Sequence, residues 1–320
     1  MAGVQTWKSH FGMAQEVSGY GSTVATPTVW IPVASFDEYD DDMGLVFDDA
    51  IRANATKLQQ VYPGAQQAKY SNTFNYYPNE CARFWPYILG ADTLGGTSSN
   101  GGWIHTFTST GPTPYSATLF DFYGYAPERQ FVGAQMDSLN FRFDRASGMA
   151  TIKPHWMSAA ASTGISETTA SFGSTVAFRG WEAVFSIGGS TKLTLLTYDL
   201  TATRDVTLLH VGNNSQRPGD REVGQIDVTG KLSLYGSTDG PYTDYRANTV
   251  NAISAIFTDT TSTTFRLEID VTAAHFTKVS PDRSGPFLRW DVDFRGKYNT
   301  TDLGPFSVIT TIATSSSLST

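Results

Sequence analysis

Leu288-Arg289-Trp290-Asp291-Val292-Asp293-Phe294-Arg295-Gly296-Lys297-Tyr298 alternates between apolar and polar side chains. Leu288, Trp290, Val292, Phe294 and Tyr298 fall on one side and Arg289, Asp291, Asp293, Arg295 and Lys297 on the other, the period of two that belongs to a strand with one buried face. The stretch predicts a strand of about 12 residues, longer than most. The same period returns upstream. Leu139, Phe141 and Phe143 alternate with Asn140, Arg142 and Asp144, and Phe265, Leu267, Ile269 and Val271 with Arg266, Glu268, Asp270 and Thr272. Ile226, Val228, Leu232 and Leu234 alternate with Asp227, Thr229, Lys231 and Ser233, and Gly230 between them marks a bulge or a close approach. The chain is therefore expected to be mainly β, built on long antiparallel strands.

Two segments break the alternation. Asn79 to Gly90 opens on a capping residue and ends on glycine, with Pro86 limiting it to a short or kinked helix. From Asp244 to Phe257 the apolar residues Val250, Ile253, Ile256 and Phe257 recur at helical spacing behind a carboxylate cap, which predicts a second helix. Each is followed by two strand-like stretches: Trp103 to Phe107 and Tyr115 to Tyr125, then Thr263 to Thr272 and Pro286 to Tyr298. Ser158 to Ser174, rich in Ala, Ser, Thr and Gly, reads as a linker or loop. The polar tail Thr314 to Thr320 is expected to be mobile. The expected organisation is an N-terminal β half over 1–157, a linker over 158–180 and a C-terminal β half over 181–320. A duplicated β-domain and the ordinary monotony of an all-β chain explain the shared order of elements equally well, because the halves show no residue-by-residue repeat.

Charged residues make up 16% of the 320 residues, against a usual share of about 25%. Thr, Ser, Gly and aromatics fill the gap, a composition suited to uncharged strand faces and to surfaces that other subunits cover. A formal charge of −8 argues against gripping nucleic acid by phosphate neutralisation. The lone Cys81 can form no intrachain disulfide, and no secretory leader pattern opens the sequence, so synthesis in a reducing cytoplasm is expected. No apolar run is long enough to span a membrane.

Chemistry-bearing patterns are scarce. His10, His105, His155, His210 and His275 lie far apart and form no paired metal-ligand element. There is no Gly-x-Ser-x-Gly elbow, Cys81 is expected to be buried and inert, and Gly19-Tyr20-Gly21 lacks the third glycine of a dinucleotide loop. The run Asp37, Glu38, Asp40, Asp41, Asp42 lacks the central glycine and closing glutamate of a calcium loop and reads as a solvated acidic loop. Asp291 and Asp293 share a strand face about 7 Å apart, a spacing an inverting glycosidase could use. They equally fit an ordinary exposed strand. No catalytic, cofactor-binding or metal-binding residue is therefore assigned, and no cofactor is expected.

The N-terminal stretch Glu16-Val-Ser-Gly-Tyr-Gly-Ser-Thr-Val-Ala-Thr-Pro-Thr-Val-Trp-Ile-Pro-Val33 reads as a wrapping arm, with turn-permitting glycines, extended prolines and the apolar pair Trp30 and Ile31. It resembles the opening of the major tail tube proteins of long, non-contractile-tailed bacteriophages. Asn79 to Gly90 resembles that family's helix, Trp103-Ile-His-Thr-Phe-Thr108 its following strand, and Arg217-Pro-Gly-Asp-Arg-Glu-Val-Gly-Gln-Ile-Asp-Val-Thr-Gly-Lys-Leu232 the segment leading into a Val-Thr-Gly strand. The resemblance implies a β-sandwich or barrel-like fold with short flanking helices and no enzymatic activity. It implies copies joined in rings, trimeric and pseudo-sixfold if the chain is duplicated, and stacked into a tube. The implied partners are the tail tip, tape measure and terminator proteins, with genomic DNA passing through the lumen unbound. The protein would be made in the host bacterial cytoplasm and reside in the virion tail. The rivals are a secreted carbohydrate-binding or glycosidase-like β-sandwich and another viral β-rich structural protein.

Overall fold

A computed structural model describes residues 8–50, 58, 60–111, 114–122, 124, 128–146, 148–166, 168–192, 194–212, 215–236, 238–261 and 264–318. The N-terminal half begins with β1 (His10–Gln15), β2 (Val29–Ile31), β3 (Val33–Asp42), the small hairpin β4 (Val46–Asp48) and β5 (Gln60–Tyr62), and β6 (Gln67–Asn75). Helices α1 (Pro78–Cys81) and α2 (Trp85–Leu89) follow, joined by a single 3-10 turn. Then come β7 (Ala91–Thr97), β8 (Trp103–Thr108), β9 (Ala117–Phe122), β10 (Glu128–Asp144), β11 (Thr151–Ser158) and β12 (Ser162–Ile165). The remainder comprises β13 (Ala183–Ile187), β14 (Ser190–Thr191), β15 (Leu195–Leu209), β16 (Asp220–Tyr235), α3 (Gly240–Arg246), β17 (Val250–Thr258), β18 (Arg266–Asp282), β19 (Arg289–Gly296) and β20 (Ser307–Ile312). The fold is mainly β, and every strand pairing among the described residues is antiparallel.

The main sheet runs β3-β6-β11-β10-β15-β16-β19-β18. β10 and β18, each 17 residues long, exchange partners along their length. The first part of β10 pairs with β9 and β12 and its last part with β11 and β15; β18 begins against β17 and β20 and ends against β19. Register slips at the crossover of each strand supply the bend that lets one chain serve two layers. Aromatic contacts close the layers on each other: Phe11 of β1 stacks on Tyr70 of β6 at 5.9 Å, and Phe185 of β13 meets Tyr198 of β15 at 5.7 Å. One core holds Phe74, Trp85, Phe141, Trp156, Phe257 and Phe294, all at most 1% exposed.

The two halves pair their strands in the same order. The series β1-β9-β10-β11-β6-β3 has its counterpart in β13-β17-β18-β19-β16-β15. Some of the irregularities also coincide, while the slips at Phe36/Glu38 of β3 and Arg204/Val206 of β15 have no counterpart. A slip between Met136 and Ser138 corresponds to one between Phe276 and Lys278, and a slip between Val33 and Ser35 to one between Leu195 and Thr197.

The helix expected over Asn79 to Gly90 forms as α1, the 3-10 turn and α2, ending on Gly90 in the left-handed region at φ 98°, but Tyr77 and not Asn79 is at its N-cap, and Asn79 Oδ1 instead accepts the Ala313 amide. The helix expected over Asp244 to Phe257 does not. α3 ends at Arg246 and Val250–Thr258 is strand β17, with Asn251, Ile253, Ala255 and Phe257 inward. The small Ala252 and Ala255 and the buried Asn251 mask the period of two, and β-branched Val250, Ile253 and Ile256 suit the strand. The strand expected to run to Tyr298 stops at Gly296, beyond which the chain turns back through an Asn299–Gly304 bridge. Within 158–180, Ser162–Ile165 forms β12 on the edge of β10, a pairing made through backbone groups that leaves no apolar period to read. Of the expected strand Tyr115 to Tyr125, Ala117–Phe122 is strand, while Tyr123 and Tyr125 lie outside the described residues.

Candidate assembly surfaces

At each end of the main sheet a strand lacks a second strand partner among the described residues, with α3 packed alongside β18. β3 pairs only with β6, and Phe276–Asp282 at the end of β18 pairs only with β19 among the described residues. The acidic run expected as a loop is in fact most of β3. It forms a strand because Phe36 and Tyr39 are spaced among the carboxylates and β6 offers a full ladder, while two slips re-aim the side chains. Such an edge invites pairing with another chain, and a row of charges is a common way of guarding it.

The inner face of the sheet packs on the core and the outer face is polar. A single row across it alternates in sign: Arg142 is opposite Asp199, Asp199 opposite Lys231, Lys231 opposite Asp293, and Asp293 opposite Lys278. Opposed unlike charges on adjacent strands stabilise the pairing by about 0.2–1 kcal/mol each. Asp293 thus stands between two lysines and Asp291 between Ser233 and Ser280, so the two carboxylates belong to the ladder of an exposed strand face.

A second cluster sits near the β3 edge. His155 Nδ1 lies 2.5 Å from Asp137 Oδ1 and its Nε2 3.0 Å from Glu38 Oε2, while Asp37 meets Lys153 Nζ at 3.3 Å and accepts the Thr73 hydroxyl. The hydrogen bond to Asp137 raises the His155 pKa, against the opposing pull of partial burial. A histidine whose folded pKa lies above its unfolded value of about 6.5 adds stability that is full below that value and disappears as pH rises through the folded pKa. The urea midpoint of the wild type is therefore expected to exceed that of His155→Gln at pH 5.5 by more than at pH 8.5. A gap independent of pH would count against this ion pairing.

Glu16, whose role is invisible in its own sequence context, is 3% exposed and accepts four hydrogen bonds. Its carboxylate takes the amides of Gly21 at 2.9 Å and Gly133 at 2.7 Å and the hydroxyls of Ser116 at 2.6 Å and Thr118 at 2.9 Å. It thereby ties the Gly19–Gly21 turn to β9 and to Gly133, whose φ of 67° lies in the left-handed region. After that turn β2 pairs back on β1, burying Trp30 and Ile31, so part of the expected arm is folded against its own chain.

The other singled-out residues occupy separate places. His105 is buried between Asp92, 3.2 Å away, and the Thr314 carbonyl at 3.0 Å. His10 stacks on Phe122 at 4.7 Å, His275 reaches Asn248 at 3.1 Å, and His210 is exposed. Cys81 is fully buried, and burial pushes its thiol pKa up, which suppresses the reactive thiolate. The tail expected to be mobile is docked: Ser317 Oγ and the Leu318 amide donate to Asp92 at 3.1 and 2.5 Å, and Leu318 is buried. Ser319 and Thr320 lie outside the described residues. Among the described residues no three His, Cys, Asp or Glu side chains are placed to hold a metal ion, and no helix is long and apolar enough to cross a membrane.

A large antiparallel sheet with a polar outer face and strands at its two ends that, among the described residues, lack a second partner defines a β-rich protein suited to pairing with other chains. The chain belongs to the phage tail tube protein family, which matches residues 6–315. No curated protein matches it. Membership makes it a structural component of the virion tail, implies self-assembly into a tube with other tail proteins, and implies a non-enzymatic role.

Proposed function

We propose that this chain polymerises as stacked rings into the tail tube of a long, non-contractile-tailed phage, the conduit through which the genome reaches the host. The observation that carries this reading is the eight-strand sheet whose end strands lack a second strand partner among the described residues. The halves 1–157 and 181–320, joined by 158–180, each contribute one tube unit, a reading supported by their common pairing order and coincident register slips. Three copies then form a pseudo-sixfold ring. At about 4.8 Å per strand, three eight-strand sheets close a circumference of about 115 Å, about 37 Å across before strand tilt widens it.

The smaller sheets and the helices back the core face of the main sheet and need the larger outer circumference, so the polar face lines the lumen. In β15, β16 and β19 that face carries Asp199, Asp205, Glu222, Asp227, Asp291 and Asp293 against Lys231, Arg289 and Arg295. An excess of carboxylates keeps passing phosphates from binding, since each neutralised phosphate would add affinity and slow transit. The segment between β3 and β6 exposes Met43, Leu45, Val46, Phe47, Val61 and Tyr62, apolar surface that suits contact with the next ring. Tail tip, tape measure and terminator proteins complete the assembly, and the host cytoplasm is the site of synthesis.

Electron microscopy of the purified, concentrated protein, with and without added tail tip, tests this reading. Uniform hollow tubes with a regular axial repeat are expected. Closed shells, or saturable binding of glycans by a protein that never forms tubes, would overturn it.

A further inference from the structure

We infer that the open end of β18 pairs antiparallel with the open edge of β3 in a second copy of this chain, in the register that sets Lys278 opposite Asp42 and Ser280 opposite Asp40. The inference rests on the tube reading and specifies which two edges make its rings.

The template lies inside the chain. β10 and β15 already join one half to the other, with Ser138 opposite Thr203, Asn140 opposite Thr201 and Arg142 opposite Asp199. β18 holds the place of β10 in the second half, and the matching slips before Ser138 and Lys278 make those two residues counterparts. β3 holds the place of β15. Tyr70 is opposite Trp156 as Gly230 is opposite Phe294, so Tyr39, paired with Tyr70, corresponds to Leu200, paired with Gly230. Counting on along each strand, Asp42 corresponds to Thr203. Since Thr203 faces Ser138, Asp42 of one copy faces Lys278 of the next.

Charge is compatible with the register that the counting selects. The alternating row Arg142, Asp199, Lys231, Asp293 ends on Lys278 at the open edge, and a carboxylate is the side chain that continues it. Asp282 falls opposite Glu38, a like-charge opposition that His155, 3.0 Å from Glu38, offsets. The edges differ, so the contact is head to tail and propagates until the ring closes. In an isolated copy, carboxylates along β3 keep identical edges from pairing with each other, which leaves the β18 edge as its partner.

Cysteine cross-linking tests the register. The doubly substituted chain Asp40→Cys, Ser280→Cys is compared with each single variant and with Asn140→Cys, Thr201→Cys, the corresponding pair at the internal junction; the native Cys81 is buried. Covalent multimers on non-reducing gels are expected only from the first pair, and an intramolecular disulfide only from the control. If tubes form but the first pair stays monomeric while the control closes, the junction is wrong and the tube reading survives. If no tube or ring forms under any condition, both fall. A second measurement removes dependence on disulfide geometry. Lys278→Glu and Asp42→Lys are each expected to abolish tubes, and their combination to restore them; a double variant as defective as the single ones would overturn the pairing.

Discussion

Glu16→Ala is expected to destabilise the folded monomer by about 4 kcal/mol, the upper range for a buried carboxylate whose donors lose their acceptor. Four donors converge on this carboxylate, two of them the amides of Gly21 and Gly133. Each loses a charge-assisted bond to a buried carboxylate. Glu16→Gln keeps one carbonyl oxygen but turns an amide toward hydroxyls and amides, so about half that loss is expected. Urea denaturation followed by tryptophan fluorescence measures both, and hydrogen exchange at Gly21 and Gly133 reports whether the turn detaches before the sheet melts. An unchanged midpoint for Glu16→Ala would show that the turn is held by other contacts.

Gly230→Val is the second large effect, a loss of about 3 kcal/mol from overpacking. A Cβ at this position would overlap the Phe294 ring and stand 2.7 Å from the Asp199 carbonyl oxygen. Phe294 is 1% exposed and packs on Tyr198 at 6.3 Å, so it has little room to retreat. The strand has no slip there, which leaves close approach as the sole reason for the glycine. Gly212→Ala is the control: nothing lies within 4 Å of its added Cβ, and a change within about 0.5 kcal/mol is expected. Adding Phe294→Leu to Gly230→Val should return part of the loss, because the two side chains compete for one volume. A double variant less stable than Gly230→Val alone would contradict that account.

Alternation made β10, β16, β18 and β19 legible, because a half-buried strand must place apolar groups at every second residue. Asn79 to Gly90 was legible for a comparable reason, its end marked by a glycine free to adopt positive φ. Reading failed where side-chain size blurred the period, as in Asn251 to Phe257, and where structure rests on backbone pairing alone, as in Ser162–Ile165. The acidic run on β3 misled because charge usually signals a loop, whereas this edge strand buries no residue and is held by its backbone ladder with β6. Docking of Ser317 and Leu318 on Asp92 joins residues far apart in the chain and leaves no local trace.

By itself the sequence determined a mainly β chain built on long antiparallel strands, since composition and periodicity are local properties that survive in a linear string. Only the tertiary structure decided which strands neighbour one another, that both halves repeat one pairing order despite unlike side chains, and that β3 and the end of β18 lack a second strand partner among the described residues. The physical reason is that strand pairing is made by backbone amides and carbonyls, which every residue except proline supplies alike. Partners and register are therefore set by the packing of the whole core, and not by the side chains of either strand alone.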